Sequence, residues 1–151
     1  MQRNANMFKN ILIATDGSEL ASKALHNGLT LAKALGAKIT AMTVTEPWLA
    51  VAPGEMAIAF PIEDYEKAVK ENAGHILRSA SALAAELGVT CETRHVKDTF
   101  PADGILEAAR AERADLIVMA SHGRRGLSRL FLGSQANRVV TQSTIPVLVC
   151  R

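Results

Sequence analysis

Gly123, then nine residues, then Gly133-Ser134 is the spacing in this chain that best suits phosphate. Glycine lets a ligand approach the main chain closely. Unpaired N–H groups at a helix start point outward, beside the positive end of the helix dipole. Ser134 adds a hydroxyl to those donors. Taken alone, a Gly-Ser pair is a turn and a helix cap. Its place after an apolar run, joined to a second glycine, turns the reading towards an anion site. Arg124, Arg125 and Arg129 lie in the same loop, where one of them either reaches a phosphate oxygen or simply keeps the loop solvated. His122 shares no ligand spacing with His26, His75 or His95, so it reads as a hydrogen-bonded loop histidine without a catalytic role. The chain has no Gly-Lys-Ser/Thr phosphate loop, no kinase signature and no evident carboxylate placed as a general base.

Those residues need a frame, and the apolar pattern supplies one: short strand-like runs alternate with helical periods in the order β-α-β-α-β-α-β-α-β, the signature of a parallel sheet with crossover helices. Asn10-Ile11-Leu12-Ile13-Ala14-Thr15 reads as a strand buried on both faces. Asp16-Gly17-Ser18 turns the chain, with Ser18 capping a helix over Glu19–Leu35 and Gly36 ending it. Strand two is Lys38–Val44, followed by a Pro/Gly-containing loop over 47–61. Helix two covers Ile62–Leu87, with Ala68, Ile76, Leu77, Ala80, Leu83, Ala84 and Leu87 inward and Gly88 at its end. Strand three is 90–96. A helix through Ile105, Leu106, Ala108 and Ala109 leads to strand four, Asp115-Leu116-Ile117-Val118-Met119-Ala120. A short helix bearing Ala136, Val139 and Val140 precedes strand five, Ile145-Pro146-Val147-Leu148-Val149-Cys150, where Pro146 suggests a sheet edge. Ligands of such sheets bind outside the carboxyl ends of the strands, where the crossover direction reverses. Asp16, the region of Val44 and the segment from Ala120 to Gly123 all fall at such ends. Asp16 by itself is a turn residue.

Composition narrows the function classes. The chain has 151 residues, 48% hydrophobic and 21% charged, with 17 Lys+Arg against 15 Asp+Glu. That length buries enough core for one domain without disulfide or metal, and a formal net charge of +2 supplies no field for nucleic acid or anionic membranes. At 4% aromatic residues, stacking platforms for bases are scarce as well. No run of about 20 apolar residues is present to span a membrane. The first seven residues are polar and lack the apolar core of a signal peptide, so export by that route is not expected. Residues 1–9 read as a flexible segment ahead of a domain over 10–151. Cys91 and Cys150 sit far apart in the chain without Cys-x-x-Cys or Cys/His ligand spacing, which argues against a structural zinc site, so packed thiols are expected. The loop from Trp48 to Phe60 is too apolar for a free tip; it folds over a cleft, meets a partner subunit or packs on its own domain.

Ala120-Ser121-His122-Gly123, nine residues and Gly133-Ser134 resemble the nucleotide-binding signature of the universal stress protein family, Gly-x2-Gly-x9-Gly-Ser/Thr. The similarity extends through Ile11-Leu12-Ile13-Ala14-Thr15-Asp16-Gly17-Ser18, Ala114-Asp115-Leu116-Ile117-Val118-Met119 and Ile145-Pro146-Val147-Leu148-Val149. The resemblance implies an α/β fold: a single doubly wound five-stranded parallel sheet in the order 3-2-1-4-5 with helices on both faces. It also implies a cytoplasmic homodimer joined through strand five, induced under stress, with ATP bound in one branch of the family and not in another. Mg²⁺ would arrive with the ATP. Carried over residue by residue, Asp16 lies beside the adenosine, Ala14 and Val44 line the adenine slot, and Met119 closes it. Ala120 and His122 belong to the signature loop. Gly123, Gly133 and Ser134 hold ribose and phosphates, and Gln135 and Ala136 add main-chain N–H groups. The first glycine of the pattern is Ala120 here, whose methyl either presses on the ribose or sits harmlessly at a strand end with negative φ. The implied function is stress-response signalling through nucleotide-dependent contacts with its twin or an unidentified protein partner. The alternatives are a slow ATPase or autokinase, and a dimeric module of the same fold without nucleotide.

Overall fold

The computed structural model describes residues 7–59, 61–124 and 131–151, and it resolves the alternating pattern into five strands and six helices among them. The strands are β1 (Asn10–Ala14), β2 (Lys38–Val44), β3 (Cys91–Val96), β4 (Leu116–Ala120) and β5 (Val147–Cys150). The helices are α1 (Glu19–Leu35), α2 (Trp48–Val51), α3 (Met56–Ala59), α4 (Ile62–Leu87), α5 (Pro101–Ala111) and α6 (Ser134–Gln142). All strand pairs are parallel, in the order β3-β2-β1-β4-β5, as the resemblance implies. The first half of the chain builds outward from β1 to β3. The second half returns to the other side of β1, so the sheet's direction of growth reverses between β1 and β4.

Side chains alternate across each strand and so build two cores. Ile11 and Ile13 of β1, with Leu116 and Val118 of β4, pack under α1 and α4 against Leu25, Leu29, Ala80 and Ala84. Leu12, Ile117 and Met119 pack on the opposite face with Ile105, Leu106, Ala136 and Val139 of α5 and α6. Pairing puts Ile11 opposite Leu116, Leu12 opposite Ile117 and Ile13 opposite Val118, which keeps each face apolar across the β1–β4 seam.

The expected caps form. Ser18 Oγ accepts from the Ala21 N–H at 3.2 Å, and Gly36 and Gly88 end α1 and α4 at φ 64° and 71°, where a Cβ would be strained. Several expected boundaries contract. Thr15, Thr90 and Asp115 fall outside their strands; the Asp115 carboxylate instead accepts the N–H groups of Lys9 (2.8 Å) and Asn10 (3.1 Å). β5 begins at Val147 rather than Ile145: Pro146 has no N–H, although its carbonyl still accepts from Ile117 at 3.0 Å. Of the segment set apart as 1–9, residues 1–6 lie outside the described residues, while Phe8 packs on the α1 core and Lys9 is hydrogen-bonded to Asp115.

The stretch 47–61, expected as a loop, carries α2 and α3, with extended Pro47 preceding the first of them. Phe60 lies outside the described residues. One residue expected on an inner face proves exposed, Ala68 on α4. At 100° per residue, Ala68 is rotated about 80° from Ile76, whereas Val69 is only about 20° away and takes the inner place. Cys91 and Cys150 are both free thiols on opposite edge strands; burial pushes the Cys91 thiol pKa up. Among the described residues, no helix is long and apolar enough to cross a membrane.

His95 on β3 shares a 2.7 Å hydrogen bond with Thr45 Oγ1 just beyond β2. Burial first, and the neighbouring Lys97 second, lower its pKa from the ordinary 6.5. Folding thus favours the neutral ring. Its contribution to stability is complete above about pH 6.5 and is lost as pH falls through the lower folded-state value. We expect His95→Gln to flatten the pH dependence of the urea midpoint below about pH 6.5, against the wild-type slope there. Parallel curves for the two proteins would assign that slope to other groups.

Candidate functional site

At the carboxyl ends of β1, β2 and β4 the sheet opens into a cleft of about 460 Å³. All eleven residues singled out in the sequence line it: Ala14, Asp16, Val44, Met119, Ala120, His122, Gly123, Gly133, Ser134, Gln135 and Ala136. The opening follows from topology. β1 leads into α1 on one face, while α5 and α6 cover the other, so the chain leaves β1 and β4 towards opposite faces.

The cleft has two chemically distinct ends. Ala14, Val44 and Met119 belong to the α5–α6 apolar cluster, so one end is a greasy slot. The other end is polar main chain. Gly133 donates its N–H to the Ser121 carbonyl at 2.8 Å, which pins the start of α6 to the end of β4. A Cβ at position 133 would stand 2.9 Å from that carbonyl oxygen, so glycine is required for the approach. Gly133 therefore contributes room rather than a donor. Ser134 is the first helical residue and no side chain caps α6, while the N–H groups of Ser134, Gln135 and Ala136 have no partner among the described residues. Three donors at the positive end of a helix dipole suit an anion.

Side chains around these donors are mostly engaged. Asp16 Oδ1 accepts the Ser18 N–H at 3.0 Å and Oδ2 accepts the Arg124 N–H at 2.9 Å, which ties the turn after β1 to the loop after β4. Asp16 is thus both a turn residue and a cleft residue. Ser121 Oγ and His122 Nδ1 lie 3.0 Å apart, making His122 a hydrogen-bonded loop histidine as expected. Gln135 Oε1 accepts the Ala102 N–H at 3.0 Å and so caps α5, and Arg138 pairs with Asp103 at 2.8 Å; α5 and α6 are coupled beside the cleft. Among the described residues, no group of three or more His, Cys, Asp or Glu is arranged to hold a metal. Arg125 and Arg129 lie outside the described residues.

Ala120 settles into strand geometry. Its φ is not among the positive values, which outside glycine occur only at Asp98 and Arg113 among the described residues. Its methyl packs into the α1–α4 core, the face opposite the Met119 slot.

One wall went unread in the sequence. Tyr65, Val69, Asn72, Ala73 and Ile76 of α4 line the cleft, and their spacing continues the inner face of that helix. That periodicity was the available signal; assigning Ala68 in place of Val69 obscured it. Val51 of α2 also lines the cleft, so part of the apolar stretch after Pro47 folds towards it. Trp48 and Tyr65 meet with ring centroids 4.9 Å apart, and Tyr65 donates to the Glu46 carbonyl at 2.7 Å. Leu49 and Met56 remain exposed.

Comparison with known proteins agrees with this architecture. The profile of the Universal stress protein family matches residues 7–151. A universal stress protein of Thermus aquaticus is 36% identical over 145 residues, covering 96% of this chain and 100% of that one. The solved structure of the hypothetical protein MJ0577, from Methanocaldococcus jannaschii, aligns with a TM-score of 0.75 at 27% identity, covering 95% of this chain and 96% of that one. A universal stress protein solved in complex with cAMP aligns with a TM-score of 0.67 at 26% identity, covering 95% and 97%. Matched along residues 7–151 and folded as these solved relatives fold, the chain belongs to the universal stress protein family.

Proposed function

We propose that the cleft binds an adenine nucleotide, with Mg·ATP as the first candidate, and that occupancy governs contacts with a second copy or a protein partner in the cytoplasm. The observation that carries this reading is the pairing, in one 460 Å³ cleft, of an apolar slot with three N–H groups at the start of α6 that have no partner among the described residues. That volume falls in the usual range for small-ligand sites. A base fits the slot and a phosphate fits the donors, and the relative solved with cAMP holds a ligand of the same chemistry. Mg²⁺ would be carried by the phosphates and water rather than by a protein cage.

The outer edge of β5 supports dimerisation through Ile145 to Cys150, since Leu148 is exposed there and an edge strand presents unpaired main-chain groups. Coupling between nucleotide and partner requires unequal binding to two states. Equal partner affinity with and without ATP would remove it. No observation specifically favours the ATPase or autokinase reading.

The direct test is calorimetric titration of Mg·ATP into protein stripped of bound nucleotide. Saturation near one per chain supports the reading; absence of binding by any adenine nucleotide to folded protein leaves the dimer surface as the functional element. Ala120→Gly, which restores the family's usual residue, is expected to change ATP affinity by less than about threefold, or under 1 kcal/mol. It should lower stability by about 0.5–1 kcal/mol, because glycine loses more entropy in a strand. A large gain in affinity would show instead that the methyl obstructs the ribose.

A further inference from the structure

We propose that Arg124 sets the preference of the cleft for nucleotides bearing phosphates beyond the first, by pairing its guanidinium with the β- and γ-phosphate oxygens. The inference rests on the nucleotide reading above and names what discriminates among its ligands. Arg124 follows Gly123 directly, so it stands at the polar end of the cleft and not at the Ala14–Val44–Met119 slot. Its main chain is fixed by the 2.9 Å bond from its N–H to Asp16 Oδ2. Its side chain folds back over the turn after β1, where Nη2 lies 3.3 Å from the position a Cβ on Gly17 would take, with Ile76 of α4 beside it.

Among the described lining residues, Arg124 is the one Lys or Arg. No carboxylate among the described residues pairs with it; Asp16 meets it only through the main chain. Among the described residues the guanidinium thus has no carboxylate partner, and Arg124 is exposed at the cleft rim. The N–H groups of Ser134, Gln135 and Ala136 can serve a single phosphate. Phosphates further along the chain leave the end of the sheet, and there a planar fork of donors matches their oxygens. Glycine at 17 keeps the space over the turn open for the guanidinium.

The experiment compares adenosine, AMP, ADP and ATP, each with Mg²⁺, on the full chain stripped of nucleotide, as wild type, Arg124→Gln and Arg124→Lys. In the wild type, affinity should rise from AMP to ATP. Arg124→Gln should weaken ADP and ATP by about 10- to 100-fold, the loss of a hydrogen bond to a charged group, with adenosine and AMP changed by less than about threefold. Arg124→Lys should recover part of that loss, and the salt dependence of ATP binding should flatten in Arg124→Gln. Equal loss across the four ligands would assign the Arg124 side chain a structural role in packing over Gly17 and overturn the proposal. Unchanged ATP affinity, or a wild type that binds adenosine as tightly as ATP, would overturn it while leaving the nucleotide site intact. A wild type that binds none of the four would overturn both readings together.

Discussion

With valine in place of Gly133, affinity for Mg·ATP is expected to fall by about two to four orders of magnitude while the protein stays folded. The Cβ alone would stand 2.9 Å from the Ser121 carbonyl oxygen and 3.4 Å from His122 Cα, so the start of α6 must move away from the end of β4. That movement breaks the 2.8 Å bond from the Gly133 N–H and re-aims the N–H groups of Ser134, Gln135 and Ala136. Losing two hydrogen bonds to a charged phosphate costs about 3–6 kcal/mol, and each 1.4 kcal/mol is tenfold in affinity. Calorimetry reads the affinity, and circular dichroism with a melting curve confirms the fold. Gly133→Ala should fall between wild type and valine, since it introduces the same Cβ without the branches. Wild-type affinity in a folded valine variant would place the nucleotide away from α6 and remove the central feature of the proposed site.

The largest effect on stability is expected from Leu29→Ala, at about 2–5 kcal/mol. Leu29 is fully buried on the inner face of α1, in one cluster with Ile11, Ile13, Leu116 and Val118. The helix has little room to sink into the gap. At the adjacent Gly28, a Cβ would already be 2.6 Å from Ile13 Cδ1 and 3.4 Å from Val118 Cγ1, so the α1 main chain lies close against the sheet. A cavity that cannot collapse puts the cost in the upper part of the range. The urea midpoint should drop at unchanged slope, and the melting temperature should fall by about 4–20 °C for a chain of this size. Nucleotide affinity at 25 °C should persist in the folded fraction, because Leu29 does not line the cleft. A loss under 1 kcal/mol would mean that the α1–sheet packing relaxes more freely than the Gly28 approach implies.

The elements most legible in the sequence were those governed by local rules. Ser18, Gly36 and Gly88 mark helix ends because cap chemistry involves only neighbouring residues, and α1 and α4 have the bounds their periodicity predicts. The two short helices after Pro47 were not legible. Four residues hold barely one turn of periodicity, too little for a helical pattern to register. The α4 wall was missed for a related reason. Ala68 and Val69 are adjacent and both apolar, and only the 100° step from Ile76 separates them: Val69 lies about 20° from it and lines the cleft, while Ala68 lies about 80° away.

What the sequence determined by itself was the alternation of strands and helices and the Gly123 to Gly133-Ser134 spacing, which with the resemblance identifies the family and the residues that line the cleft. Tertiary structure alone decided how those residues divide the work. The Gly133 N–H is consumed by Ser121, Asp16 is spent holding Ser18 and Arg124, the Gln135 side chain caps α5, and the Ala120 methyl turns into the opposite core. Spacing specifies which groups come near one another. Which donor remains unpaired depends on every other acceptor within about 3 Å, and those acceptors come from segments distant in the chain.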